Sequence, residues 1–277
     1  MEYEPLDIRN PFDAPALLVR TTESTMADAR VLANEGYTSG TVIRAERQTA
    51  GRGRVTGRRW DSPAGESLLC TILLRMNAPA GFTLRVGLAV SRALDAYLPT
   101  DARTIIKWPN DVLSGGTSPA AGKKLAGILC EASVSGTSGG SVLYAGTGLN
   151  IAQTAFPPEL SRKATSLALV PGARVPAIDG MLESYLVFLR ETLETDDWRE
   201  GVSTRLLYRG ERIAFLAGDP ERRELIDGTI EGIGESGELL FAPANDAPFR
   251  ASDSALKPDA SGLLHLWSGE IPYPEGT

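Results

Sequence analysis

The chain has 277 residues, of which 42% are hydrophobic and 23% charged, and its formal net charge is −7. That length holds one large core or two unequal ones, at about 100–150 residues per domain. The acidic balance argues against a general affinity for nucleic-acid phosphates, so a local cluster of arginines stands out.

Pro5, Pro11 and Pro15 fall in the opening stretch without any period, and residues 1–20 read as an irregular lead-in. This stretch is acidic and lacks the basic-then-apolar pattern of a secretion signal. No apolar run in the chain reaches the ~20 residues that span a bilayer, so a cytoplasmic location and no membrane contact are expected. Ser24 or Thr25 can cap a helix running to about Asn34, with Gly36 as its stop. Thr41–Glu46 and Ser67–Arg75 read as strands, the second buried throughout. From Thr83, the spacing of Val86, Val90, Ala93 and Tyr97 predicts a half-buried helix.

Thr104–Trp108, Leu125–Glu131 and Ser141–Ile151 are further strands, and the glycine- and serine-rich runs Ser114–Gly122 and Ser133–Ser141 read as hairpin connections. Met181–Glu194 has Leu182, Tyr185, Leu186 and Leu189 on one stripe, which predicts a helix. Beyond about Tyr208 short strand-like pieces alternate with Gly, Pro, Asp and Asn, the pattern of a small all-β unit of about 70 residues. Cys70 and Cys130 lie in apolar runs without metal-type spacing and read as reduced core residues. The single histidine, His265, falls in the β region and reads as structural, which makes a Ser-His-Asp hydrolase improbable.

Four segments carry chemistry. Gly51–Trp60 packs three glycines and four arginines into ten residues. Glycine allows close backbone approach and positive φ, and arginine offers permanently charged planar donors, so the loop suits an anion. The same composition also suits a solvated basic turn. Its glycines make it costly to order, so it is expected to be mobile without a ligand. Lys107-Trp108-Pro109-Asn110-Asp111 places a cation and polar side chains at a strand end, where an ordinary Pro-Asn-Asp turn is the alternative. Lys124 opens the small-residue run KLAGIL and could point into a cleft or lie along the surface. Gly146-Thr147-Gly148-Leu149-Asn150 allows close approach of a ligand to a strand. Trp60 and Trp108 read as walls of the site.

The order and spacing of these pieces, GRGRxGRxW, KWPND, KLAGIL and GxGxN, with Phe156–Leu167 after them, resemble the biotin–protein ligases, also called holocarboxylase synthetases. The resemblance runs from Ser24 to about Leu167. It implies an α+β fold: a mixed sheet with helices like that of class II aminoacyl-tRNA synthetases, over residues 1–208. A small SH3-like β-barrel would follow over 209–277, where Ser268-Gly269-Glu270 is also family-like.

The implied activity is a two-step reaction. Biotin attacks the α-phosphate of ATP, with Mg²⁺ on the polyphosphate, and a lysine of a biotin carboxyl carrier domain of an acyl-CoA carboxylase then takes the biotin from biotinyl-5′-AMP. By resemblance Ser24, Thr25 and Gln48 bind the ureido ring. Arg52, Gly53 and Arg54 fold over biotin and the adenylate. Lys124 meets the biotin carboxylate and the α-phosphate, with Gly127 on the biotin side. Lys107, Trp108, Asn110 and Asn150 lie by the nucleotide. Lys124 and Arg54 are the expected catalytic cations, and Asp111 is the candidate for orienting or deprotonating the incoming lysine. No metal ligands are identified.

One departure is the ring motif, where the family's Ser-Thr-Asn reads Ser24-Thr25-Met26. A lipoate–protein ligase shares the fold and the adenylation chemistry, but the full Gly51–Trp60 motif favours biotin. Some relatives carry an N-terminal helix-turn-helix. Here the ring motif begins at Ser24, so no DNA-binding role is expected. Monomer and homodimer both remain open.

Overall fold

In the computed structural model, described for residues 2–55, 57–118, 120–134, 140–218, 224–244 and 257–273, the proline-rich start of the chain is not an irregular lead-in. It holds β1 (Glu4–Pro5) and β2 (Ala16–Thr22), an antiparallel pair. Pro5 sits on the outermost strand, where a missing N–H breaks no ladder. Ala16, Leu17 and Val19 of β2 are buried, and this short apolar run overrides the irregular signal around it.

Helix α1 (Thr25–Asn34) has the expected bounds, with Gly36 at φ +87° after it, and Ser24 stands at its N-cap position without a side-chain capping hydrogen bond. It is the crossover that lets β2 pair in parallel with β3 (Val42–Gln48), a connection a tight turn cannot make. The remaining ladders of this sheet are antiparallel. They join β4 (Ser67–Arg75), β5 (Ile105–Lys107), β6 (Asp111–Leu113), β7 (Lys124–Val134) and β8 (Ser141–Asn150) in the order β1-β2-β3-β4-β8-β7-β6-β5. The connection expected at Ser133–Ser141 falls largely on residues 135–139, outside the described ones.

The two-residue period of β4 builds two cores. Leu68, Cys70, Ile72 and Leu74 face α2 (Phe82–Asp95) and α3 (Ile178–Glu194), whose Val86, Val90, Tyr185 and Leu189 complete that layer. Leu69 and Leu73 face the opposite way, onto Met26, Ala29 and Leu32 of α1. A short helix, α4 (Trp198–Ser203), leads towards the second sheet. Both cysteines are free, Cys70 buried and Cys130 partly so, and burial pushes each thiol up to about 12.

The last part of the chain forms an antiparallel five-stranded sheet, ordered β12-β11-β10-β9-β13. Its strands are β9 (Arg212–Ala217), β10 (Glu224–Ile233), β11 (Leu239–Pro243), β12 (Leu264–Leu266) and β13 (Gly269–Glu270). Its core is shared with the first sheet: Phe215, Ile230 and Phe241 pack with Ile106, Trp108 and Leu113 of the β5–β6 hairpin. This shared core brings the end of the chain up to the hairpin that carries Lys107 and Asp111. Among the described residues no helix is long and apolar enough to cross a membrane.

Candidate active site

Gly127 of β7 and Gly148 of β8 are direct partners in the ladder, and together they make a trough in the sheet. Trp60 fills it. A Cβ at Gly148 would come within 2.5 Å of the Trp60 ring, and one at Gly127 within 3.0 Å of that ring and 2.8 Å of Lys124 Nζ. Only glycine lets the indole lie this close to the strands.

Trp60 is carried by the arginine–glycine segment, which is folded back on itself. Gly53 N–H donates to Arg58 O at 2.9 Å, Trp60 N–H donates to Gly51 O at 3.0 Å, and Arg52 bridges Arg59. Thr56 lies outside the described residues. The arginines therefore face a cavity of about 440 Å³, a size that suits a small organic ligand.

One end of the cavity is polar and neutral. Gln48 Oε1 accepts from Thr25 N–H at 2.8 Å and from Thr25 Oγ1 at 3.2 Å. Thr25 Oγ1 stands 2.9 Å from Thr71 Oγ1. Ser24 and Met26 line the same end, so the motif Ser24-Thr25-Met26 does face the ligand space. Thr71 was not singled out in the sequence, because its strand reads as a continuous apolar run.

The other end is charged. Lys124 Nζ lies 2.6 Å from Asp111 Oδ1 and 5.5 Å from the centroid of the Trp60 ring. Lys107 Nζ is 4.0 Å from Asp111 Oδ2 and 3.9 Å from Glu270. Burial pushes the Lys107 ammonium down to about 8, against the pull of Asp111 and Glu270. For Asp111 burial works to raise the carboxyl, but the ammoniums of Lys124 and Lys107 outweigh it and hold the group below its usual range. Arg58 grips Glu270 with two hydrogen bonds of 3.0 and 2.8 Å, and Arg54 donates to Gly269 O at 2.9 Å. Tyr273 OH donates to Asp111 Oδ2 at 2.6 Å.

The structure thus brings Ser24, Thr25, Gln48, Arg52, Gly53, Arg54, Lys107, Asn110, Asp111, Lys124 and Gly127 around one cavity. Asn110 also braces the wall, its Nδ2 donating to Ile128 O at 3.0 Å. Two expected residues are elsewhere. Trp108 is the first residue past β5, in the turn that leads to β6. It is buried in the second sheet's core, 6.1 Å from Phe215, with its indole N–H on Gly237 O at 3.1 Å. It is no wall of the site. Asn150 Nδ2 is buried and donates to Thr165 O at 3.0 Å. That contact ties β8 to the segment whose Lys163 O accepts from Lys124 N–H at 2.8 Å. Asp111, the expected handler of the incoming lysine, is already engaged by Lys124 and Tyr273. Glu270 and Tyr273 join the site from the end of the chain. The Ser268-Gly269-Glu270 run was marked only as family-like, not as part of the site, and nothing in the sequence marked Tyr273.

A match to the Biotin/lipoate A/B protein ligase family covers residues 18–147. A biotin–[acetyl-CoA-carboxylase] ligase of Paracoccus denitrificans is 34% identical over 238 residues, covering 81% of this chain and 92% of that protein. The chain belongs to the biotin protein ligase family. It is also similar to the bifunctional ligase/repressor BirA of Bacillus spizizenii, with 32% identity over 228 residues and 79% of this chain covered. The chain spans only 66% of the length of that relative. Among solved structures, the biotin protein ligase from Aquifex aeolicus in complex with biotin and ATP superposes with a TM-score of 0.68 at 27% identity, covering 92% of this chain and 96% of that one. In this biotin protein ligase family member the matched segment carries the arginine–glycine loop, Lys107, Asp111 and Lys124, whereas Glu270 and Tyr273 lie outside it.

Proposed function

We propose that this chain is an ATP-dependent biotin–protein ligase that forms biotinyl-5′-AMP and passes the biotin to a lysine of a carboxyl carrier domain. The observation that carries this reading is the place of Lys124, at the junction of a neutral polar cleft and a cluster of cations, fixed by Asp111 and packed on Trp60. A bicyclic urea with a carboxylate tail suits that cavity, its ring towards Thr25 and Gln48 and its acid towards Lys124. The Aquifex relative bound to biotin and ATP supports the same pair of ligands.

The chemistry follows from the charges. In the first step a biotin carboxylate oxygen attacks the α-phosphorus and the bond to the pyrophosphate oxygen breaks. Negative charge develops between acid and phosphate, and Lys124, Lys107 and Arg54 form a pre-organised cationic cluster for it. In the second step the amine nitrogen of the carrier lysine attacks the acyl carbon, AMP leaves with the bonding electrons, and the amine loses a proton. Asp111 is a poor acceptor for that proton, because its carboxyl is held low by two ammoniums. We therefore read Asp111 as the anchor of Lys124. Trp60 and the loop cover the site and exclude water, which would otherwise hydrolyse the anhydride.

Two earlier expectations change role in this reading. Trp108 fixes the β5–β6 hairpin to the second sheet, and Asn150 fixes the segment next to Lys124, so both act on the nucleotide side from behind the cavity wall. Residues 1–208 are read as the catalytic part and 209–277 as a β unit that completes its site. Among the described residues no group of three or more His, Cys, Asp or Glu side chains could hold a metal, and the cavity's acids Asp111 and Glu270 are each paired with cations. The donor set does not fit a resident metal, so Mg²⁺ enters only as a companion of the triphosphate.

Pyrophosphate exchange into ATP tests the acid that is activated. Exchange driven by biotin supports the reading. Exchange driven by lipoate or octanoate and not by biotin overturns it.

A further inference from the structure

The geometry points to Tyr273 as a positioning residue for the two lysines of the site, acting through Asp111. The inference rests on the adenylation reading above, and Tyr273 lies beyond β13, far from the motifs that carry that reading.

Asp111 has two carboxylate oxygens and three neighbours. Lys124 Nζ takes Oδ1 at 2.6 Å and Tyr273 OH takes Oδ2 at 2.6 Å. Lys107 Nζ is left 4.0 Å from Oδ2, beyond hydrogen-bond reach. A charge-assisted bond from an ammonium is stronger than one from a neutral phenol, so with Oδ2 vacant Lys107 would close on it. The phenol competes for that oxygen and, with its ring against Lys107, holds the ammonium back. Its ring also supports the Lys107 ammonium, which sits 4.4 Å from the ring centroid. Tyr273 therefore divides the lysines into one that is clamped and one that stays available to an incoming anion. Burial, then the neighbouring Asp111, pushes the phenol above its usual range, so it remains a donor through the working range of pH. The other charged groups facing Asp111 and Tyr273 are Glu270, Arg54 and Arg58.

Tyr273→Phe removes the hydroxyl and keeps the ring. In the full-length protein, kcat for adenylate formation should fall roughly tenfold, with KM for biotin changed less than about threefold. The acid limb of kcat should move to lower pH, because the Lys107 ammonium that replaces the phenol on Oδ2 favours the charged form of Asp111 more strongly. Tyr273→Leu, which also removes the ring beneath Lys107, should lose more. A crystal structure of Tyr273→Phe should show Lys107 Nζ within about 3.2 Å of Asp111 Oδ2. An unmoved Lys107, or a kcat and pH profile equal to those of the parent, would overturn the assignment. The crystallographic arm decides it even if the parent chain activates an acid other than biotin, an outcome that would overturn the functional reading alone.

Discussion

Lys124 Nζ and Asp111 Oδ1 lie 2.6 Å apart, an ion pair between the first residues of two neighbouring strands. The bond fixes the direction of the ammonium before any ligand arrives. A flexible lysine would otherwise lose freedom on binding, so the pair lowers the cost of assembling the reactive geometry. Lys124→Ala should therefore reduce adenylate formation by at least about a hundredfold. Single-turnover formation of biotinyl-AMP measures this, and near-normal rates would remove the catalytic role of Lys124.

Asp111→Asn keeps the shape and removes the charge. It leaves the buried Lys107 with Glu270 alone and takes the ion-pair partner from Lys124, so stability should fall by about 3 kcal/mol. Adenylation should fall more than transfer from preformed biotinyl-AMP, because the anchored cation acts on the phosphate. Equal losses in the two half-reactions would restore a direct role for Asp111 towards the carrier lysine.

Gly148→Ala introduces a Cβ that would stand 2.5 Å from the Trp60 ring. The loop must lift, and KM for biotin should rise about tenfold. In a Trp60→Ala background the same change should cost little further, since the ring it collides with is gone. Additive effects in that double-mutant cycle would show that Trp60 and Gly148 do not interact in the working enzyme.

The pH dependence of kcat/KM for ATP reports groups of the free enzyme. Lys107, lowered to about 8 chiefly by burial, should lose its charge as pH rises through that value, and kcat/KM should fall on the alkaline side. Lys107→Met should lower kcat/KM throughout and flatten this limb.

His265 sits between Glu238 at 3.1 Å and Asp259 at 3.0 Å, and these bonds raise its pKa, the Asp259 bond first. A raised folded value gives stability that is fully present below the unfolded pKa of about 6.5 and is lost as pH rises through the folded one. His265→Gln should thus lower the melting temperature in mild acid and have little effect in alkali. A difference that does not change with pH would contradict this.

The loop Gly51–Trp60 stood out in the sequence because its composition is unusual, whereas Lys124 alone was ambiguous and was marked only through the resemblance. Trp108 lies elsewhere than expected because proximity to Lys107 in sequence does not say which core a turn residue joins. The shared core with Phe215 and Phe241 claimed it. β2 was missed because nearby prolines masked a short apolar run whose partner, β3, is parallel and separated from it by a helix. Tyr273 had no local signal. Its place depends on how a second sheet, whose strands pair among themselves, docks onto the first, and only tertiary packing decides that.

The most direct test of the central claim is to incubate the full chain with ATP, Mg²⁺, biotin and a biotin carboxyl carrier domain, and to weigh the carrier by mass spectrometry. The account predicts a gain of one biotin less one water on a single lysine, abolished by Lys124→Ala. An unmodified carrier, or one modified only when lipoate or octanoate replaces biotin, would contradict it.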